Sequence, residues 1–233
     1  NELGESLGAI RTEELLAARR VDYGRQYFSR AFDFGFSKDS AETFTQWDRE
    51  ELLGDVIRVI RAFRPHVIVS VFAGTARDGH GHHQVAGLLA REAYEQSADT
   101  VRFPRTFGEA WSAAKLYRSA RFQAEVATLR VNVGEFDVLS GRSYGEIAGE
   151  SRSQHKSQAF GAAERRGVLL DPLRREATRV NAATPARDER SMFDGMDTTW
   201  ARHRGAAHTD ALRAVVDSLP ALSAIARATL DLR

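Results

Sequence analysis

The chain has 233 residues with 33 Lys and Arg against 32 Asp and Glu, a near balance that gives no electrostatic footprint for a nucleic-acid backbone or an anionic membrane. A hydrophobic share of 42% beside 28% charged residues fits an ordinary globular fold and excludes bulk disorder, and no stretch approaches the ~18 to 20 consecutive apolar residues of a membrane span. The absence of cysteine removes disulfides, thiolate metal sites and thiol nucleophiles together, so any metal site must be built from His, Asp and Glu.

The opening run Asn1 to Gly8 reads as a Gly-bearing loop leading into a helix, and a first residue other than Met suggests a fragment. From Arg11 to Val21, Leu15, Leu16, Ala18 and Val21 recur at helical spacing, with Glu13 and Glu14 near the start, where acidic groups suit the helix dipole. Tyr27 to Phe32 is an aromatic run of strand length that stops at the turn-like Asp33-Phe34-Gly35. Asp48 is a good N-cap for a helix whose Leu52, Leu53, Val56, Ile57, Ile60 and Phe63 form one apolar stripe, and Pro65 ends it.

His66 to Phe72 is nearly continuous in apolar residues, which predicts a buried central strand in a parallel sheet. A polar loop from Ala73 to His83 follows, and Val85, Leu88, Leu89 and Ala93 restart helical periodicity. Open α/β sheets bind ligands beyond the carboxyl ends of their strands, so this loop occupies a favoured functional position. Residues 99 to 111 read as a connection, and Ala127 to Val133 alternates like a half-exposed strand near a sheet edge. Ser143 and Glu146 have capping-box spacing and predict a helix to about Gly161, with His155 inside it. Leu173 to Val180 is amphipathic, Asn181 to Thr199 is loop-like, and Ala211 to Leu232 is helical by periodicity with an interruption at Pro220.

Three of the seven histidines fall together at His80, His82 and His83. Imidazole is the commonest metal ligand, and His80 and His83 share a helix face if the helix begins there. A catalytic zinc site needs about three protein ligands and an open position for water, and three ligands inside one short loop would be unusual. Asp78 could add a carboxylate. A solvated His-rich loop is the plain alternative.

Gly79-His80-Gly81-His82-His83, following a Pro-x-Val-Ile-Val strand, resembles the second metal motif of the PIG-L/LmbE-like zinc-dependent de-N-acetylases. Arg11-Thr12-Glu13-Glu14-Leu15 resembles that family's Arg-x-x-Glu-Leu helix start, and Asp33-Phe34-Gly35 its Asp-x-Gly loop. The motifs run in order from Asn1 to about Gln96, with a weaker echo at His155-Lys156-Ser157-Gln158. The resemblance implies a Rossmann-like α/β three-layer sandwich with a mostly parallel sheet. It also implies removal of an acetyl group from an N-acetylglucosaminyl conjugate, with Zn2+ as cofactor. His83 corresponds to a zinc ligand, His80 to the histidine that stabilises the tetrahedral intermediate and protonates the leaving amine, and Arg11 and Asp33 to substrate-binding residues. His82 stands where the family often has Asp. The family's His-Pro-Asp-Asp motif, which supplies two further zinc ligands and the general base, does not occur in this sequence. Its expected place is upstream of Asn1, with the N-terminal strand-helix unit, so the chain is expected to be incomplete as a catalyst.

The expected organisation is a truncated de-N-acetylase-like α/β domain over residues 1–180, then a loop and C-terminal helical extension over 181–233. The expected partner is an N-acetylated sugar conjugate. A non-catalytic carbohydrate-binding or assembly module is the alternative function, and a His-loop metal carrier is a third.

Overall fold

The computed structural model describes residues 5–161, 163–181, 184–199 and 210–231. They fall into two compact units, Pro185–Met192 clustering with the residues up to Arg179, and Val180–Thr184 with Phe193 and beyond.

Helix α1 (Glu5–Asp22) begins earlier than the apolar periodicity predicts and takes in residues expected to be loop. The predicted aromatic strand is absent: residues 23–29 are irregular, with Tyr27, Phe28 and Phe32 substantially exposed. Arg30 holds this stretch to the third helix instead, through its backbone amide and a two-pronged guanidinium pair with Asp55 at 2.9 and 3.0 Å. Side-chain anchoring replaces the strand ladder that the aromatic composition suggests. A short helix α2 (Ser40–Thr43) is followed by α3 (Arg49–Phe63), where Asp48 accepts from the Glu51 amide as expected, and Arg64 closes the helix in the left-handed conformation before Pro65.

Strand β1 (Val67–Ser70) leads into a loop with a 3-10 turn (Ala76–Asp78), and α4 (Gly81–Gln96) follows with His80 as its N-cap. Next come β2 (Lys115–Ser119), β3 (Leu129–Asn132), a small hairpin of β4 (Phe136–Asp137) and β5 (Arg142–Ser143), α5 (Tyr144–Arg152) and β6 (Leu170–Thr178). The sheet order is β1-β2-β6-β3.

The architecture is α/β, but the sheet is mixed rather than mostly parallel. β1 and β2 are parallel across the α4 crossover, whereas β6 runs antiparallel to both β2 and β3. β1 is also an edge strand among the described residues, not a central one, and Val69 and Val71 are exposed. Its apolar run reflects one covered face: Ile68 packs under α3 and α4 with Leu53, Ile57, Val85 and Leu89. β3 lies at the other edge, as its alternation predicts. On the opposite face Tyr117, Leu129 and Leu173 form a smaller cluster beside Met192.

The Ser143–Glu146 capping box forms, but α5 stops at Arg152 and leaves His155 beyond its end. The amphipathic segment after Leu173 is β6. In the second unit, α6 (Asp210–Asp231) continues through Pro220 instead of breaking there, forgoing the backbone donor that proline lacks. Leu232 and parts of the 181–199 stretch lie outside the described residues.

Two charged groups organise the first unit from inside. Arg61 of α3 is buried and donates to the carbonyls of Ser97, Asp99, Phe103, Pro104 and Gly108, tying the end of α4 and the following connection to α3. Glu189 is fully buried and takes Lys115 Nζ at 2.7 Å, the Tyr117 hydroxyl at 2.7 Å and Arg175 at 2.6 Å, which fastens Pro185–Met192 beneath β2 and β6.

Replacing Arg61 by Met would leave several carbonyls without donors, and urea unfolding is expected to show a loss of about 3 kcal/mol. Gly8 lies exposed inside α1 with nothing within 4 Å of an added Cβ, so Gly8→Ala is expected to stabilise by about 0.5 to 1 kcal/mol. The Glu146 carboxyl is held down to about 2 from an ordinary 4.5, chiefly by the Ser143 amide, then by Arg166 and the Ser143 hydroxyl. The unfolded chain takes up this proton first, so the contribution is full above about 4.5 and is lost as pH falls towards about 2. Thermal melts across that window are expected to contain an acid-sensitive component that Glu146→Gln removes.

Candidate functional site

The loop after β1 and the head of α4 are locked together by glycines. A Cβ on Gly87 would lie 2.1 Å from the Gly74 amide nitrogen, and one on Gly81 would lie 2.3 Å from both the Asp39 carbonyl and the Thr43 hydroxyl. Gly81 also donates its amide to the Ser37 carbonyl at 2.8 Å. Asp78 folds the loop by accepting from the amides of Ala73 at 3.2 Å and Thr75 at 2.9 Å. Its carboxylate thus shapes the backbone of the loop.

This framework places three imidazoles side by side, His80 lying with its ring centroid 4.3 Å from His82 and 5.3 Å from His83. His80 Nδ1 accepts the His82 amide at 3.1 Å, so the neutral ring carries its proton on Nε2. His83 stacks on Phe72 at 4.1 Å, and its Nδ1 lies 3.2 Å from the Asp78 carbonyl. Donation to that carbonyl protonates Nδ1 and leaves Nε2 as a lone-pair donor, the arrangement that orients histidine ligands in metal sites. His82 turns the other way: it stacks on Trp47 and meets the edge of Phe34, each at 4.4 Å. Burial lowers its pKa, with the neighbouring imidazoles adding to the effect and Asp33 opposing it. Its Nε2 is buried without a partner.

The 33–36 turn connects this cluster to α1. Asp33 accepts the Gly35 amide at 2.9 Å and the Arg11 guanidinium at 3.1 Å, while Phe36 packs on His80 at 5.1 Å. Asp33 therefore both forms the turn and pairs with Arg11. Arg11 Nε is a buried donor without a partner, on the wall of a cavity of about 1060 Å³ between α1, α5 and the end of β1.

Phe72 lines that cavity and also stacks on the His83 ring, so Arg11 and the imidazole cluster are joined through it. His155 and Gln158 also line it, and the segment holding them is fixed to α1 by Glu14, which accepts from the Ser157 amide at 2.6 Å and its hydroxyl at 2.7 Å. The Ser157 amide is the main cause of a lowered Glu14 pKa; its hydroxyl and the charges of His155 and Arg11 add to it against a burial penalty. Arg121, Asp137 and Tyr144 line the cavity too, and no local sequence signal singled out Arg121 or Asp137. Tyr144 alone had a positional hint, directly after the Ser143 cap.

Among the described residues no group of three or more His, Asp or Glu side chains converges to hold a metal ion. His83 offers one ligand nitrogen, and the described residues do not complete a zinc site around it.

Residues 1–94, which contain this loop, the Asp33 turn and the Arg11 helix, match the family described as PIG-L: GlcNAc-PI de-N-acetylase. This segment is similar to the PIG-L family over less than half of the chain. Curated relatives include a 1D-myo-inositol 2-acetamido-2-deoxy-alpha-D-glucopyranoside deacetylase 2 of Frankia casuarinae, 37% identical over 128 residues, which are 50% of this chain and 40% of that protein. The protein of the same name from Saccharopolyspora erythraea is 33% identical over 81 residues, 35% of this chain and 29% of that protein. A deacetylase of Thermobispora bispora is 36% identical over 80 residues, 34% of this chain and 25% of that protein. The matched segments thus span less than half the length of each of these relatives.

The glycine contacts predict their own test. Gly87→Ala is expected to cost about 2 kcal/mol and to move the imidazole NMR resonances of His80 and His83, because the α4 head must shift to admit the methyl group. Unchanged resonances in a folded variant would show that the helix head is not held there.

Proposed function

We propose that this chain is part of a hydrolase that removes the acetyl group from an N-acetylglucosaminyl conjugate. The observation that carries the reading is the joining of the three PIG-L motifs in one place, with Asp33 pairing to Arg11 while its turn packs on the imidazoles. The family match and the deacetylase names of the relatives support the same substrate class.

In this reading the cavity beside α1 takes the sugar. Arg11 has an unsatisfied Nε donor there, and a sugar hydroxyl would relieve the cost of about 1 to 3 kcal/mol that such a buried group carries. Asp33 fixes the guanidinium plane and accepts from a second hydroxyl. His80 directs its Nε2–H at the acetyl carbonyl oxygen as charge develops; as general acid for the leaving nitrogen it would first take a proton on Nδ1, giving up the His82 amide, and return to the neutral ring on donation from Nε2. Phe72 and His83 form the boundary between sugar and acetyl ends. We also propose that the enzyme is zinc-dependent and that His83 Nε2 is one ligand, the remaining ligands and the general base lying outside the described set. Bound zinc would supply an acidified water and a polarised carbonyl.

Acetate release from an N-acetylglucosaminyl-inositol, followed by NMR with the natural protein that carries this chain, tests the reading. His80→Ala is expected to lower kcat by about 100-fold or more, and Arg11→Ala to raise KM by about tenfold with kcat nearly unchanged. His83→Ala is expected to lose tightly bound zinc, and stoichiometric zinc retained in that variant would remove His83 from the ligand set. Sugar binding without acetate release would make the chain a carbohydrate-binding module instead.

A further inference from the structure

A second cleft, of about 580 Å³, lies beyond the carboxyl ends of the parallel pair β1 and β2. Four arginines bound it: Arg77 from the 3-10 turn, Arg91 from α4, Arg118 from β2 and Arg174 from β6. Arg118 and Arg174 sit directly opposite each other in the β2–β6 register, a like-charge pairing that disfavours the sheet unless negative charge is brought to it.

The chain supplies too little of that charge. Glu176 alone is shared by Arg118 at 2.6 Å, Arg174 at 3.3 Å and Arg91 at 3.6 Å, and Arg91 also meets Glu95 at 3.3 Å. Arg77 is exposed and has no ion-pair or hydrogen-bond partner among the described residues. Four guanidiniums therefore face two carboxylates, leaving two positive charges in excess in a chain whose formal net charge is +1.

We propose that this cleft binds a tetrahedral dianion, the phosphate or sulfate group of a small ligand. The excess charge matches a dianion. The planar forks of Arg77, Arg91 and Arg174 approach from three different elements, which suits a tetrahedral group with oxygens in several directions better than a flat carboxylate. Arg118 is only 12% exposed in its side chain and is held by Glu176, so it forms the charged floor, while Arg77 is the free arm. The site is separate from the imidazole cluster and does not depend on the deacetylase reading.

Calorimetric titration of the intact chain with inorganic phosphate and with inorganic sulfate, against sodium acetate at matched ionic strength, tests the proposal. One equivalent of phosphate or sulfate is expected to bind saturably, and the tighter of the two identifies the group recognised. Arg77→Ala is expected to weaken binding by about tenfold, and Arg77→Ala with Arg174→Gln to remove it. Because Arg77 has no partner to lose, its single variant decides the matter even if the double variant melts early. Failure of both anions to saturate, equal binding of acetate, or undiminished binding in a folded Arg77→Ala variant would overturn the proposal and leave an adventitious ion only.

Discussion

The site depends on how closely the backbone of the loop after β1 can approach α4. Gly74 and Gly87 meet with no room for a side chain on either, and Gly81 is enclosed by Asp39, Thr43 and Ser37. These contacts pin the first turns of α4 from two sides. His80 is then forced to be the N-cap, His82 is turned towards Trp47, and His83 is turned towards Phe72. Three histidines within four positions thereby acquire different environments. A histidine-rich loop free of such contacts would present three equivalent solvated rings.

Around that junction the first unit is held by buried polar groups as much as by apolar packing. Arg61 satisfies the carbonyls of a connection that has little secondary structure of its own, and Glu189 draws a distant segment under the sheet. Both have several hydrogen-bond partners, which is the condition under which burying a charge is tolerated. Among the described residues three buried side-chain atoms lack such partners: Ser97 Oγ at the end of α4, and Arg11 Nε and His82 Nε2, the latter two beside the candidate site. Unsatisfied buried donors and acceptors are costly, so the two beside the site are consistent with a ligand completing them.

The mixed sheet divides the molecule's charged features between two ends of the same loop. Phe72 borders the cavity beside α1 and stacks on His83, while Ala73, Thr75, Ala76 and Arg77 line the arginine cleft. One short segment thus borders an apolar cavity with a few directed donors on one side and an open cationic surface on the other. The Asp78 carboxylate, by accepting two amides of this segment, shapes both at once.

Much of this was legible in the sequence because it is local. The Asp48 cap, the α3 stripe, the Ser143–Glu146 box, the strand after Pro65 and the helix after His83 all depend on residues within a few positions of one another. The motif order from Arg11 through Asp33 to His83 likewise pointed to one family before any distance was available. Tertiary structure decided what sequence separation concealed. The antiparallel insertion of β6 made the sheet mixed, because strand direction is chosen by partners rather than by composition. The aromatic run after Tyr27 found no ladder, and Arg30 pinned it to α3 by side chains. β2 escaped the sequence reading because Lys115 looks like a surface residue until Glu189, far along the chain, neutralises it in the core. The cationic cleft was invisible for the same reason: its four arginines lie on four elements, and only the fold sums their charge in one place.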